Sequence, residues 1–361
     1  MDAENYHFEN HYPKRRISRE IKIGNIATGG SSPITIQSMT NTKTSDVSAT
    51  VRQIYQLEEA GCDIVRVAVP DEKAAQAIAD IKSQIHIPLV ADIHFNHKLA
   101  LQSIEAGADK IRINPGNIGS AWKIREVLDS ANEHSIPIRI GVNAGSLEKD
   151  LVDKYGQPCA DAMVESAMRH VALCEKYNFS NIIVALKASD VLMMIEANQK
   201  FAALTDYPLH LGVTEAGTKD TGLVKSAIGI GTLLHQGIGD TLRVSLTADP
   251  VEEIKAGLNI LKALKLKRHG ITLISCPTCG RLEYDLFKII EEFEARTEHV
   301  KKPVTVAIMG CVVNGPGEAR EADIGIAGGK GKVVLFKKGK VIKTIPESQV
   351  IDILLEEINK I

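Results

Sequence analysis

The stretch DIVRVAVPDEKAAQAIADIKSQIHIPLVADIH, residues 63–94, contains two short β-rich runs with a helical segment between them. The runs DIVRVAV (63–69) and PLVADIH (88–94) are rich in branched aliphatic residues, which favour strands. The segment EKAAQAIADIKSQI has apolar residues at three- and four-residue spacing, which is typical of an amphipathic helix. The stretch therefore predicts a strand, a helix and a second strand, the repeating unit of parallel α/β folds.

The same pattern recurs from Pro33 to about Ala248, and it contains eight β-rich runs in all. The other six are PITIQSMT (33–40), KIRINPG (110–116), IPIRIGVN (136–143), NIIVALKAS (181–189), PLHLGVTEAG (208–217) and DTLRVSLTA (240–248). Eight strand–helix units over about 215 residues fit a closed (β/α)8 TIM barrel. An open doubly wound sheet is the alternative, but its Gly-rich fingerprint should follow the first strand, whereas IATGGSS precedes it.

The strand–helix repeat ends after the eighth run. DPVEEIKAGLNILKALKLK (249–267) predicts a closing helix with Asp249 as its N-cap and Pro250 at its first position. The basic segment KLKRHG then marks a boundary. We expect a substrate-binding TIM barrel over residues 1–267 and a smaller α/β domain over residues 268–361.

Composition narrows the class of protein. The 361-residue chain has 43 Lys and Arg against 45 Asp and Glu. It therefore lacks the excess of basic residues that would indicate a nucleic-acid partner. No apolar run approaches the roughly 18 residues of a membrane span, and the polar start lacks the apolar core of a secretion signal. Six cysteines are too few for a disulfide scaffold. We expect a cytoplasmic protein, with Arg15, Arg16 and Arg19 as a solvated charge run.

The strand ends, where barrels of this class carry their chemistry, are unusually cationic. Four arginines and one lysine occupy equivalent places, with asparagines and serines beside them. The cations are Arg66, Arg112, Arg139, Lys187 and Arg243, and the neighbouring polar residues are Asn114, Asn143, Ser189 and Ser245. Because five cations facing one cavity repel one another, we expect a multiply charged anion, such as a phosphorylated small molecule.

The alternative for each arginine is an internal ion pair with Asp92, Glu215 or another acid of the barrel. For all five cations this explanation is poor, because too few acids occupy equivalent places. His94 and His210 are candidates either for acid–base groups or for hydrogen-bonded structural histidines.

Three cysteines in the second domain form an incomplete set of metal ligands. SCPTCGR contains Cys276 and Cys279, and GCVVNGPGE contains Cys311, followed across a Gly-Pro-Gly bend by Glu318. Zinc with a nearby histidine, His269 or His299, is one possibility. The Gly and Pro around the thiols favour iron–sulfur, since they leave backbone N–H groups for cluster sulfides. A 4Fe–4S cube held by three cysteines and Glu318 would have one exchangeable carboxylate ligand.

These motifs together resemble one enzyme family. SCPTCGR and GCVVNGPGEA follow a barrel that opens with GGSSPITIQSMTNT and contains VRVAVP, ADIHFN, IRINPGNIG, IGVNAGSLE, LKAS, LGVTEAG and LRVSLT. The combination resembles the 4-hydroxy-3-methylbut-2-en-1-yl diphosphate synthase family of the methylerythritol phosphate route to isoprenoids. The resemblance runs from about Arg15 to the last helix.

The resemblance implies a reaction, a cofactor and partners. The family opens the ring of 2-C-methyl-D-erythritol 2,4-cyclodiphosphate and removes a hydroxyl as water with two electrons from reduced flavodoxin or ferredoxin. Cys276, Cys279, Cys311 and Glu318 would hold the 4Fe–4S cluster in residues 268–361, and the barrel cations and His210 would bind substrate. Glu318 would also act catalytically, with Glu215 or His94 as proton donor. Family members are homodimers.

Two other classes of protein stay open at this point. One is a redox-free barrel enzyme, such as an aldolase or a pterin-phosphate transferase, with a zinc-stabilised tail. The other is a non-enzymatic electron carrier or iron sensor. The cationic strand ends argue against the carrier, because it needs no pocket for a small anion.

Overall fold

A computed structural model describes residues 14–282, 284–311, 317, 320–329 and 331–361. The chain divides into two compact units, Met1–Lys267 and Arg268–Ile361. Within the described ranges no helix is both long enough and apolar enough to cross a membrane.

The first unit contains a short antiparallel hairpin and eight parallel strands that fall on the eight runs identified above. The strands are β1 Ile21–Ile23, β2 Ile26–Thr28, β3 Thr35–Met39, β4 Ile64–Ala68, β5 Leu89–Asp92, β6 Lys110–Ile113, β7 Ile138–Asn143, β8 Ile182–Lys187, β9 His210–Leu211 and β10 Thr241–Leu242. The parallel strands pair in the order β8-β7-β6-β5-β4-β3-β10-β9. A parallel bridge between Val184 and Leu209 links the two ends of this order. The prediction of a TIM-like barrel is therefore confirmed.

Helices connect successive strands. They are α1 Val47–Glu59, α2 Glu72–Lys82, α3 His97–Glu105, α4 Pro115–Ile118, α5 Ala121–Glu133, α6 Lys149–Tyr155, α7 Ala160–Lys176, α8 Val191–Leu204, α9 Lys219–His235 and α10 Pro250–Ala263. Asp249 caps α10 as predicted, since its carboxylate accepts from Val251 N at 2.8 Å. Gly61 and Gly107, which follow α1 and α3, have φ of 99° and 90° and let the chain turn into the next strand.

Along each strand, successive side chains point in turn to the surrounding helices and to the barrel interior. Ile36, Val67 and Ile140 are fully buried in the aliphatic cluster between the sheet and the helices. At the amino-terminal end of the barrel, Ile21 and Ile23 of the hairpin join a small apolar cluster with strand residues of the sheet. This cluster closes the end of the barrel opposite the predicted site.

The prediction for the basic segment at the start of the barrel is wrong. Arg15 pairs with Asp240 at 2.9 Å, and Arg19 pairs with Asp206 at 2.6 Å. Arg16 donates to the carbonyl oxygen of Tyr207 at 2.9 Å. These arginines attach the segment to the barrel, and their partners are nearly 200 positions or more away, beyond the reach of local patterns.

The described residues of the second unit form a smaller five-stranded sheet and two long helices. Its elements are β11 Ile271–Ser275, α11 Leu286–Thr297, β12 Val304–Met309, β13 Ile324–Gly329, β14 Lys332–Lys337, β15 Lys340–Pro346 and α12 Val350–Lys360. The sheet order follows the chain; β11, β12 and β13 pair in parallel, and β13, β14 and β15 pair antiparallel. Phe293, Val306, Ile326 and Leu354 lie in its core. The prediction of a separate smaller α/β domain is thus confirmed in architecture.

Candidate active site

Asp92, at the end of β5, lies between two arginines inside the barrel. Arg112 Nη1 donates to Asp92 Oδ1 at 3.0 Å, and Arg66 Nε lies 3.7 Å from Asp92 Oδ2. All three side chains are buried. Burial would raise the pKa of the Asp92 carboxyl, but the charges of Arg66 and Arg112 hold that pKa well below its usual range. Internal pairing, the alternative considered above, therefore occurs for these two arginines.

Arg243 has a different acidic partner, which comes from the helix that follows it. Its Nε and Nη2 donate to the two carboxylate oxygens of Glu253 at 3.2 and 3.3 Å. Glu253 is buried in the first turn of α10 and also accepts from Ser38 Oγ and the backbone N–H of Leu246. The sequence reading missed Glu253, because the periodicity of α10 indicated only its apolar stripe.

Arg139 and Lys187 are the exceptions. Both are buried, and within residues 14–267 neither makes a hydrogen bond or an ion pair with a carboxylate. Nε and Nη1 of Arg139 have no hydrogen-bond partner in the described part of the chain. Burial and the charge of the neighbouring arginines lower the pKa of Arg139 and of Lys187 well below the usual values. These two cations are the part of the site that a bound anion would satisfy.

The interior contains one more base than the sequence reading identified. Lys110 lies two residues before Arg112 on β6 and is fully buried. The described part of the barrel thus has six basic side chains on its strands or at their ends, Lys110 and the five predicted cations, and the carboxylates that pair with them are those of Asp92 and Glu253. The two-residue spacing in KIRI could have indicated Lys110, since residues i and i+2 of a strand face the same side.

The other predicted residues lie nearer the solvent. Glu215 and Ser189 are exposed, and Ser245 and Asn143 are half-buried. Asn114 is buried and caps α4, because its Oδ1 accepts from Gly116 N at 3.0 Å. The side chain of His94 is 54% exposed, and its Nε2 lies 3.6 Å from Asp92 Oδ2. Arg112 Nη1 lies 3.3 Å from the same ring nitrogen, so the structure brings His94 to the arginine cluster.

His210 lies deeper than the mouth of the barrel. It is fully buried, and its Nδ1 is 3.5 Å from Thr241 Oγ1. No described residue forms a hydrogen bond with its Nε2. Burial and the charge of Lys187 lower the pKa of His210 well below its usual value. A neutral imidazole at this depth fits a hydrogen-bonding role better than proton delivery.

Glu148 and His170 form a second feature that the sequence reading missed. Their side chains meet at 2.8 Å and lie beside Gly116, in the segment that follows β6. The contact with His170 lowers the pKa of Glu148 to about 2. The pair connects the loop after β7, the long helix α7 and the segment that contains Asn114.

The cysteines of the second unit follow the ends of neighbouring parallel strands. Cys276 comes directly after β11, and Cys311 follows β12 with Gly310 between them. Gly310 N donates to Cys276 Sγ at 3.1 Å, and a Cβ on Gly310 would lie 3.3 Å from that sulfur. Cys279 is exposed. In the described part of the chain no three potential ligands are gathered closely enough to hold a metal ion, and Glu318 lies outside the described residues.

Tyr284 supports the backbone next to these cysteines. Its hydroxyl donates to the carbonyl oxygen of Met309 at 2.7 Å, and its ring lies where a Cβ on Gly328 would be. Burial raises the pKa of Tyr284, and the charges of Cys276, Glu347 and Cys311 add to that shift. Cys276 and Cys311 are therefore both near this ring.

The fold and the site define a two-unit barrel protein with a cationic barrel interior and cysteines at the strand ends of its second unit. The chain matches the GcpE TIM-barrel domain over residues 18–258 and the GcpE protein C-terminal domain over residues 272–360. It belongs to the GcpE family, which confirms the resemblance drawn from its motifs.

The relatives are similar along nearly the whole chain. A protein of Caldanaerobacter subterraneus subsp. tengcongensis is 60% identical over 346 residues, covering 96% of this chain and 98% of that protein. A protein of Anoxybacillus flavithermus is 58% identical over 347 residues, covering 96% of this chain and 95% of that protein. Both are named 4-hydroxy-3-methylbut-2-en-1-yl diphosphate synthase (flavodoxin).

Proposed function

We propose that the chain catalyses the two-electron reductive ring opening and dehydration of 2-C-methyl-D-erythritol 2,4-cyclodiphosphate to (E)-4-hydroxy-3-methylbut-2-enyl diphosphate, a step in isoprenoid precursor biosynthesis. The proposal rests on the charge balance of the barrel interior, where Arg139 and Lys187 are buried and no carboxylate of residues 14–267 pairs with either of them. The names of the relatives support this reaction.

The five cations would bind the diphosphate. Arg66, Arg112 and Arg243 are already oriented by Asp92 and Glu253, so these side chains lose little freedom when the ligand arrives. Opening the ring converts a phosphodiester into a terminal phosphate and adds negative charge to the diphosphate. Fixed guanidinium groups stabilise that developing charge more strongly than they stabilise the substrate. Asn114, Asn143, Ser189, His210 and Ser245 would complete the pocket with hydrogen bonds.

His94 is the better placed of the two candidate proton donors. Its Nε2 lies 3.6 Å from Asp92 Oδ2, and about half of the side chain is exposed, so the ring contacts both the barrel interior and solvent. Glu215 is exposed in the loop after β9, where its φ is 52°, an uncommon conformation for a residue with a side chain. Departure of the hydroxyl as water requires one proton, which His94 would deliver.

The second unit suits an iron–sulfur cluster in its donor types and its backbone. Three cysteines supply soft thiolate ligands, and the Gly310 N–H already donates to Cys276 Sγ. Cys276, Cys279, Cys311 and Glu318 would hold a 4Fe–4S cluster. When bound, that cluster would supply the two electrons and an exchangeable coordination position. The proposal includes reduced flavodoxin as electron donor, with ferredoxin as the alternative, a homodimer as the assembly, and a cytoplasmic location that keeps the thiols reduced.

Anaerobic turnover tests the proposal. Protein purified without oxygen is mixed with the cyclodiphosphate and reduced flavodoxin, and the product is identified by mass spectrometry. We expect the linear allylic diphosphate from the wild-type chain and at least about a 100-fold lower rate from Arg139→Met. A wild-type chain that carries its cluster and yet leaves the cyclodiphosphate unchanged would refute the proposed reaction.

A further inference from the structure

One basic residue of the barrel interior has no part in the diphosphate contacts proposed above. Lys110 is the first residue of β6 and is fully buried below Arg112. Its Nζ donates to Gln37 Oε1 at 3.2 Å, and this acceptor is a neutral amide. Within residues 14–267 no ion pair joins Lys110 to a carboxylate, so its charge has no direct counterion there.

The groups that surround Lys110 are mostly cationic. Arg139 and Arg66 oppose a charge on its amine, and Lys110 in turn opposes protonation of His210. The charged and titratable groups inside the barrel, strand by strand, are Arg66, Asp92, Arg112, Arg139, Lys187, His210 and Arg243, with Glu253 behind Arg243. Both carboxylates of this set are already paired with arginines, Asp92 with Arg66 and Arg112, and Glu253 with Arg243.

These surroundings disfavour an ammonium ion in the ligand-free protein. Burial alone lowers the pKa of Lys110, and the charges of Arg139 and Arg66 lower it further. A neutral amine keeps an N–H for Gln37 without the cost of an uncompensated buried charge. A diphosphate bound at the mouth changes this balance, because it brings at least two negative charges to the arginines.

We infer that Lys110 takes up a proton from solvent when a diphosphate binds to the arginines above it, and that Lys110 is a positioning residue that couples substrate binding to protonation. The inference rests on the proposed function. Lys110 and Arg112 are two residues apart on β6, about 7 Å along the strand. Two negative charges bound at the Arg112 guanidinium would raise the proton affinity of the Lys110 amine by roughly tenfold or more. The affinity for the substrate therefore falls as pH rises from the pKa of the free protein to that of the complex.

Calorimetry of the full chain, purified anaerobically with its cluster, tests this coupling. The cyclodiphosphate is titrated at pH 8 in two buffers of different ionisation enthalpy, which gives the number of protons taken up per ligand bound. We expect roughly half a proton or more for the wild type, and less than half of that value for Lys110→Met. Lys22→Met, at an exposed position of β1, is the matched control and should retain the wild-type value.

Gln37→Glu provides a second variant if Lys110→Met does not fold. A carboxylate at position 37 would keep Lys110 charged before the ligand arrives, so the proton uptake should again fall by at least half. The inference is wrong if the wild type binds the cyclodiphosphate without taking up protons. It is also wrong if folded Lys110→Met, or Gln37→Glu, takes up as many protons as the wild type. Either result leaves the proposed function standing. Absence of any binding by the wild type overturns the proposed function, and the inference with it.

Discussion

Arg243 and Glu253 form a two-point ion pair, in which the guanidinium group at the end of one strand is held by a carboxylate in the first turn of the following helix. The same carboxylate accepts from Leu246 N at 3.0 Å, so it also fixes the turn between β10 and α10. One buried acid therefore sets both the position of an arginine that we propose binds substrate and the path of the chain beside it.

Replacing this acid should destabilise the barrel. In Glu253→Gln the amide retains the shape of the side chain but leaves the Arg243 charge without its partner, so we expect a loss of about 2 kcal/mol in the free energy of unfolding. Urea denaturation measures this loss. The adjacent Glu252→Gln, at a partly exposed surface pair with Lys219, should change stability by less than about 0.5 kcal/mol. Equal effects of the two substitutions would contradict the role given to Glu253.

Replacing Arg139, in contrast to Glu253, should increase the stability of the ligand-free protein while it weakens substrate binding. Its guanidinium is buried, and among the residues that the structure describes it has no ion-pair partner and two of its nitrogens have no hydrogen-bond partner. Arg139→Met should therefore raise the unfolding free energy of the ligand-free protein by about 1–3 kcal/mol while it weakens cyclodiphosphate binding at least about 100-fold.

Arg112→Met is the matched comparison for Arg139→Met. It leaves Asp92 with a weakened set of partners, so it should lower stability as well as binding. Denaturation curves without ligand distinguish the two variants. If Arg139→Met loses as much stability as Arg112→Met, the ligand-free Arg139 is not the unsatisfied cation described above.

The sequence predicts the strands and the cations at their ends, but it does not predict most of the partners that these cations have in the structure. The eight strands and the five cations follow from local patterns, because strand runs and their polar ends lie within a few residues of one another. The partners of Arg15 and Arg16 lie 225 and 191 positions away, and a single sequence does not show such contacts. Glu253 lies only ten residues after Arg243, but the periodicity of α10 indicated its apolar stripe and not this buried acid. Lys110 was missed for another reason: its charge contradicts the usual aliphatic filling of a barrel interior.

Gly212 separates two parts of the site that a side chain would push apart. A Cβ there would lie 2.6 Å from the carbonyl oxygen of Arg243 and 2.8 Å from Lys187 Nζ. We expect Gly212→Ala to cost about 1–3 kcal/mol and to weaken substrate binding, because the backbone oxygen cannot move cheaply. Gly231→Ala, in the middle of α9 where a Cβ meets nothing within 4 Å, should instead be neutral or stabilising. A Gly212→Ala protein with unchanged stability and affinity would show that the strand ends can separate freely.

The Glu148–His170 contact makes a pH-dependent contribution to stability. The pKa of Glu148 in the folded protein is about 2, below the unfolded value of about 4.5, so its contribution is present above pH 4.5 and is lost as pH falls towards 2. The difference in unfolding free energy between the wild type and Glu148→Gln should therefore narrow between pH 5.5 and pH 3. Chemical denaturation at several pH values measures it. A difference that stays constant over this range would mean that Glu148 is not held ionised by His170.

The most direct measurement is the metal content of the chain purified under argon. We expect about four irons and four sulfides per chain, and loss of most of that iron in Cys311→Ser but not in Cys159→Ser, whose cysteine lies at the start of α7 in the barrel. Zinc in place of iron, or an iron content unchanged by Cys311→Ser, would contradict the assignment of the cysteine unit as the redox centre of this enzyme.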